Sequence, residues 1–511
     1  MNQYISKPFA IERDTITGNR FGAQIPDNCI LYKSLSNFPI SNFNPTALDA
    51  QIVSHTYDNG IGTIVFDRAI TAIGKEAFAG CTRLASIALP RTIKEVGENA
   101  FARCRQLNDI YINDLAAWCA IEFYDDAYEH DEPDRQLYLN GKPIADLVIP
   151  DGITKIGDRA FYNCTAIRSI AIPASVTAIG KKAFHGCTGL TSVVVPDSVV
   201  EIGVHAFARC RRLQSIELPH NIKEIPDYAF VGDEALKGIT LPNGVTKIGE
   251  AAFWGCIALP SITIPDSVTA IGNRAFCGCE HLGGFYGKFA SADHHCLAAN
   301  GTLLGFAPAG LADFTIPADI TRIGECAFED CLRLLRITIP EGVTEIGDRA
   351  FAGCRCLNDI RIPQSVNRIG KSAFLATGIE AIQIPDGIAA LESEVFAGSR
   401  LKGLRIPESV TTIGALAFRG CDLESITIPR GVTEIGDSAF YFCKHLTAVY
   451  CMPAIPPVLT KDKIPARFSC ATITNEVKIY VPHASVEAYK GAEDWCEFAS
   501  HIEGCDFAAA E

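Results

Sequence analysis

Between about residue 59 and residue 450 the apolar positions come in a fixed order. An Ala-Phe pair is followed by Leu, then by two aliphatic residues alternating with polar ones, then by Pro. The Phe, preceded by Val once, falls at 78, 101, 161, 184, 207, 230, 253, 276, 328, 351, 374, 396, 418 and 440. Eight of the intervals are 23 residues, the last three are 22, and two of 60 and 52 mark insertions. A short fixed period of this kind predicts a solenoid of about fourteen coils, each burying its apolar face only against its neighbours.

The unit from Val176 to Pro196 shows what each column does. Leu190, Val193 and Val195 alternate at the end with polar or outward positions, which predicts a short strand whose Val193 and Val195 face inward. Pro196, like Pro90, Pro150, Pro219, Pro265 and Pro429 in other coils, lacks a ladder donor and marks the corner where each strand stops. Ile179-Gly180 is expected at a second corner, where the glycine supplies either a positive φ or a close backbone approach to the next coil. Pro226 and Glu392 replace that glycine in two coils. The Ala-Phe-x-x-Cys step reads as one helical or 3-10 turn with the ring filling the coil interior. Stacked at the spacing of neighbouring strands, about 4.8 Å, fourteen such coils would extend roughly 65 to 75 Å.

The recurring Ile-Gly-x-x-Ala-Phe-x-x-Cys-x-x-Leu-x-x-Ile-x-Ile-Pro resembles the leucine-rich repeats of the Treponema pallidum or BspA-like bacterial type. The resemblance covers residues 59 to 450 and implies an α/β-type repeat solenoid, a right-handed coil with a short-strand parallel sheet. It also implies adhesin-like binding of host protein, and a place at the cell surface or outside the cell.

Around that array, residues 1–58 lack the period, hold Pro8, Pro26, Pro39 and Pro45, and are expected as an irregular N-terminal cap. Ile64, Phe66 and Ile70 then imitate the strand columns of a partial coil. The first insertion, 115–146, sets Trp118, Phe123, Tyr124 and Tyr128 beside six acidic residues, and Asn140-Gly141 predicts a hairpin. The second, 286–313, is read as a surface loop with a hairpin at Asn300-Gly301. Its Asp293-His294-His295-Cys296 has zinc-ligand residue types, but adjacent ligands rarely reach one ion. Residues 451–511 form the expected C-terminal cap, with a final strand at Lys478–Pro482, a helix capped by Ser485, apolar anchors Trp495, Phe498 and Ile502, and a disordered tail from Ala508.

Composition narrows the chemistry. The 511 residues carry 45 Lys+Arg against 59 Asp+Glu, a formal charge of −14, so nucleic acid and anionic membranes meet net repulsion. No apolar run suggests a signal peptide or membrane span, which on this chain alone reads as cytoplasmic. Eleven of the 21 cysteines occupy one column, three places after the Phe, where Asp233, Thr377 and Ser399 stand in three coils. A column accepting Cys, Ser, Thr and Asp predicts reduced, buried side chains that bond weakly to backbone at the coil corner.

No Walker, nucleophile-elbow, zincin or dinucleotide pattern occurs, and Gly370-Lys371-Ser372 sits on the repeat's own columns. His185, His205, His220, His281 and His445 are read as solvated surface residues. The chain is thus expected to be a monomeric, non-enzymatic protein without cofactor, metal, nucleic acid or membrane insertion. Its outward strand positions, eight and ten places after the Phe and one place earlier in the 22-residue coils, are small in many coils (Ser86/Ala88, Ser169/Ala171, Ser215/Glu217) and charged around Arg336, Asp359, Arg361 and Arg405. Those four, with Trp118, Tyr124 and Tyr128, are the candidate contacts for a protein or glycan. The competing reading is a scaffold inside the producing bacterium.

Overall fold

A computed structural model describes residues 24–36, 38–124, 134–460 and 477–507. It separates into two compact units, one of Met1–Ile153 with Asn163–Ile167, the other of Thr154–Tyr162 with Arg168–Glu511.

In the first unit, Ile52–Asp58 and Ile61–Phe66 form an antiparallel hairpin about Asn59 and Gly60, which have φ of 49° and 80°. Cys29–Ser34 lies antiparallel between Ile61–Phe66 and Leu84–Ala88. The described part of the N-terminal segment is therefore built of strands rather than irregular. Ile64 and Phe66 belong to this hairpin and not to a partial parallel coil, and a boundary at residue 58 would cut its turn. Beyond Leu84–Ala88 the sheet continues in parallel register through Asp109–Ile112 and Gln136–Leu139. The buried Tyr32 ring packs over Gly62, where a Cβ would lie 1.9 Å from the ring. Its hydroxyl sits 2.6 Å from His55 Nε2 and accepts from the Ile40 N–H at 3.2 Å. Phe43 stacks on Phe78 with centroids 5.7 Å apart, so the cap supplies the first ring of the aromatic ladder.

In the second unit each coil has three sides. The main strands, such as Ser192–Val194 and Ser215–Glu217, pair in parallel and in register. Two-residue strands, such as Ala178–Ile179 and Glu201–Ile202, form a second parallel ladder. The third side is the Ala-Phe corner. There the N–H groups of Lys182, Phe184 and Gly186 reach the carbonyls of Val204, Ala206 and Ala208 in the next coil at 3.0, 2.8 and 2.8 Å. The intervening N–H groups of Ala183, His185 and Cys187 close three-residue turns within the coil.

This corner is not a turn of helix, because its hand alternates. In all fourteen coils the residues two places before and two places after the Phe have φ between 48° and 76°. The glycine of Ile-Gly takes the other role foreseen for it, a close approach. A Cβ on Gly180 would stand 2.6 Å from the Asp158 backbone nitrogen of the preceding coil.

Inside, the rings stack face to face, 5.4 Å apart from Phe161 to Phe184 and from Phe230 to Phe253. The second insertion is folded into the array instead of forming a surface loop. Cys296–Ala299 and Thr302–Phe306 make the hairpin at Asn300-Gly301, Thr302–Leu303 pairs with Arg322–Ile323, and Asp313–Thr315 pairs with Arg336–Thr338. Among the described residues the solenoid makes about 18 turns, against the fourteen read from the Ala-Phe spacing.

The column cysteines are free thiols, and eight of the eleven donate to a Phe carbonyl of the preceding coil. Cys187, Cys210, Cys256 and Cys279 each donate Sγ–H to the carbonyl of the preceding coil's Phe at 3.2 Å. Burial pushes the Cys164 and Cys279 thiols up to about 12. At the end of the unit Lys478–Pro482 is a strand, but Ile502–Cys505 pairs with it and is the last strand among the described residues. Ser485 does not cap the helix Val486–Gly491; its hydroxyl donates to the Ala454 carbonyl. Trp495 Nε1–H and Tyr489 O–H donate to the carbonyls of Pro457 and Pro453, fastening the closing segment. The tail from Ala508 lies outside the described residues.

Candidate interaction face

Alternation along each main strand places one residue inward and its neighbours outward. Ile216 is buried between exposed Ser215 and Glu217, and Ile337 between exposed Arg336 and Thr338. The outward columns eight and ten places after the Phe thus form a continuous register across coils of the second unit. In the first unit the expected Ser86/Ala88 pair is not outward-facing surface: both are buried, and Ile25 packs on Ala88.

Arg336 stands in register between Asp313 and Asp359. Its Nε donates to Asp359 Oδ2 at 2.7 Å and its Nη1 to Asp313 Oδ2 at 3.3 Å, and these carboxylates hold the guanidinium above its ordinary range. This charge is already matched within the sheet. Arg361, on the other outward column beside Thr338, is exposed and has no ion pair among the described residues. Arg405 has a side chain 78% exposed, with Asp386 Oδ1 at 3.8 Å from its Nη1. Gln383 is exposed between buried Ile382 and Ile384, and beside Gln383 and Arg405 the first column holds Ala381 and Gly403.

The ladder lapses here. No strand is assigned at 380–384, and Arg405 keeps a single bridge to Thr427. These are coils of the 22-residue period, one residue short, and the chain runs so close at 378 that only glycine fits, since a Cβ there would meet the Arg355 carbonyl at 2.6 Å.

The first-insertion candidates divide. Trp118 is 4% exposed on the helix Leu115–Cys119, packed edge-on against Phe123 at 5.5 Å, so it is a core residue and not a contact. Tyr124 is 52% exposed and donates to Glu122 Oε2 at 2.7 Å. Tyr128 lies outside the described residues.

Other tyrosines on the outward columns escaped the sequence reading. Tyr111, Tyr286 and Tyr450 each stand ten places after a Phe, which a column-by-column count finds at once. Tyr111 stacks on Tyr138 at 4.3 Å and Tyr450 on Tyr480 at 5.1 Å. Their partners sit in strands without the Ala-Phe marker.

Two histidines expected in solvent are not there. His185 is 5% exposed and stacks on Tyr162 at 5.0 Å; burial, with the nearby Arg209 and other cations, lowers it to about 3. His205 is half-buried against Tyr228, and burial lowers it to about 4. Buried Glu329 accepts from Arg274 Nε at 2.9 Å and Arg349 Nε at 2.8 Å, closing the corner beside the second insertion. Among the described residues no group of three His, Cys, Asp or Glu converges to hold a metal ion. In the Asp293 segment, His294 Nδ1 faces the Phe285 carbonyl and His295 Nδ1 the Ala307 carbonyl. No helix among the described residues is long and apolar enough to cross a membrane.

The model for the BspA-type leucine-rich repeat region matches residues 24–124, 154–283, 305–422 and 367–457, in six copies. The chain belongs to the BspA-type leucine-rich repeat family. Among solved structures, a leucine-rich cell surface protein of Faecalibacterium prausnitzii is 28% identical over 81% of this chain and 87% of that one, with a TM-score of 0.44. A leucine-rich repeat protein of Eubacterium ventriosum is 26% identical over 63% of this chain and 91% of that one, with a TM-score of 0.51. The T. pallidum leucine-rich repeat protein is 26% identical over 46% of this chain and 76% of that one, with a TM-score of 0.24. No curated protein matches the chain.

Proposed function

We propose that this BspA-type protein is a non-enzymatic interaction scaffold of the adhesin kind, whose outward sheet face in the second unit holds an acidic patch of a protein partner. The observation that carries the reading is the exposed row Arg361, Gln383 and Arg405 beside the side-chain-poor shelf of Ala381 and Gly403. Arginine on a rigid surface offers planar, bidentate hydrogen bonding to carboxylates, and a shelf without side chains lets a partner approach. Arg336 and Asp359, already paired to each other, contribute shape and register more than free charge. Tyr124 offers an aromatic contact in the first unit.

The test is capture by immobilised chain from host-surface and producing-cell extracts, comparing wild type with R361E/R405E at matched melting temperature. Proteins retained by wild type and lost from the double variant support the reading; equal retention by both removes the site. The second reading, a scaffold inside the producing cell, draws support from the free thiols of the described residues, since reduced cysteines persist in reducing compartments. Fractionation of native cells separates the two.

A further inference from the structure

A groove of about 610 Å³ opens on the main-sheet face at the coils of Phe207 and Phe230. Two features make it. Gly238 occupies the outward column after Ser192 and Ser215 and contributes no side chain. The ladder, which joins Val194 to Glu217, stops at Ile239 on the next strand, so Thr240 leaves the sheet. The bond that Val195 N–H makes to the Glu217 carbonyl at 3.0 Å has no counterpart between Leu218 and Thr240 among the described residues.

The lining is anionic over an apolar floor. Glu217 is exposed and has no ion pair among the described residues. Asp197 Oδ1 accepts from both the backbone N–H and the Nδ1 of His220 at 2.8 Å, bonds that keep its carboxyl below the usual range. No lysine or arginine lines the groove, and His220 is spent on Asp197. Val194, Pro196 and Pro242 supply aliphatic surface.

We infer that this groove is a second binding station, taking the basic side chain of an extended segment of a protein partner. A lysine or arginine stem lies along apolar surface while its head reaches a carboxylate, which is the combination present here. An acidic side chain would face two carboxylates. A sugar would find no Phe, Tyr or Trp face to stack on among the lining residues. The station is independent of the Arg361 and Arg405 row and prefers the opposite charge.

The probe is an acetylated, amidated Ser-Val-Arg-Val-Ser peptide titrated calorimetrically into the full chain, with a control peptide carrying Glu in place of Arg. The Arg peptide is expected to bind saturably at one site, and the Glu peptide to bind at least about tenfold more weakly. Glu217→Gln should weaken the Arg peptide by about threefold to fivefold, the range of a solvent-accessible ion pair. Gly238→Leu should abolish binding by filling the groove. Its backbone is outside the left-handed region, and a Cβ there meets only Ser215 Cβ at 3.4 Å as its nearest atom. R361E/R405E should leave the affinity unchanged, which separates this station from the proposed Arg site. Equal affinity for the two peptides, no saturable binding of the Arg peptide, or undiminished binding to both Glu217→Gln and Gly238→Leu would overturn the inference.

Discussion

Asp233 stands in the cysteine column, fully buried, and makes the stability of its coil depend on pH in a direction that can be worked out. Its Oδ1 accepts from the Cys210 N–H at 2.8 Å, while Oδ2 has no partner among the described residues. Burial raises the carboxyl well above its ordinary 3.8, outweighing the Cys210 hydrogen bond. A group whose folded value is raised binds more protons folded than unfolded. Its contribution is complete below pH 3.8 and fades, at about 1.4 kcal/mol per pH unit, as pH rises toward the folded value. Asp233→Asn keeps the Oδ1 acceptor and never ionises. The variant should therefore differ little in pH response from wild type near pH 4 and gain on it by about 1.4 kcal/mol per unit above that, until the folded carboxyl itself ionises. His185 and His205, lowered to about 3 and 4, lose stability as pH falls below the usual histidine range, but they do so in both chains and cancel in the difference. Hydrogen exchange of the amides around Cys210 and Phe230, at intervals from pH 4 to 7, reads the local opening energy. A wild-type-to-variant difference that stays flat across that range would show that Asp233 is ionised in the folded coil and refute the argument.

Phe253→Ala removes a ring stacked at 5.4 Å on both Phe230 and Phe276 and should cost about 3 to 5 kcal/mol, with amide protection lost mainly in the adjoining coils. Protection lost evenly over the second unit would contradict nearest-neighbour stacking. Gly420→Ala places a Cβ in near-open space at φ 68° and should cost only the left-handed penalty of about 1 to 2 kcal/mol. Gly249→Ala has no such φ but sets a Cβ 2.5 Å from the Asp227 nitrogen, and should melt lower than Gly420→Ala. The reverse order would reassign the two columns.

The period exposed the stacked Phe ring, the strand alternation and the thiol column because each is a demand on side-chain type that every coil repeats. The alternating hand of the Ala-Phe corner was not legible, since its first left-handed position carries Glu76, Lys182, His205, Ala251 and Leu416 without preference. There the inter-coil N–H···O=C bonds on either side compel a conformation that the residue does not favour. The N-terminal hairpin was legible at Asn59-Gly60, by the same signal that located the hairpins at Asn140 and Asn300, but lay across the expected boundary. His185 looked like surface because it stands one place after the Phe, a position that holds exposed Trp254 and Arg419 in other coils and a stacking Tyr162 beside this one. Arg336 was legible as outward but not as matched. Its two carboxylates lie 23 residues away on either side, a pairing visible only once coil is laid on coil.

That division between constrained and unconstrained columns says where recognition can reside. In the second unit the backbone groups of three sides are engaged coil to coil except where the main ladder lapses beside Gly238 and Gly403, and column thiols such as Cys187 and Cys210 spend their hydrogens on neighbouring Phe carbonyls. A change at Phe, Gly or Cys therefore disturbs two coils at once. The column ten places after the Phe carries no such obligation. It runs through Val194, Glu217 and Thr240, then Thr338 and Arg361, mixing apolar, acidic, neutral and basic residues while the buried Val193, Ile216 and Ile337 beside it stay aliphatic. A position free of structural duty yet held in register by its neighbours can take whatever side chain a partner selects. The acidic groove at Gly238 and the arginine row near Gly403 are two outcomes of that freedom on one face.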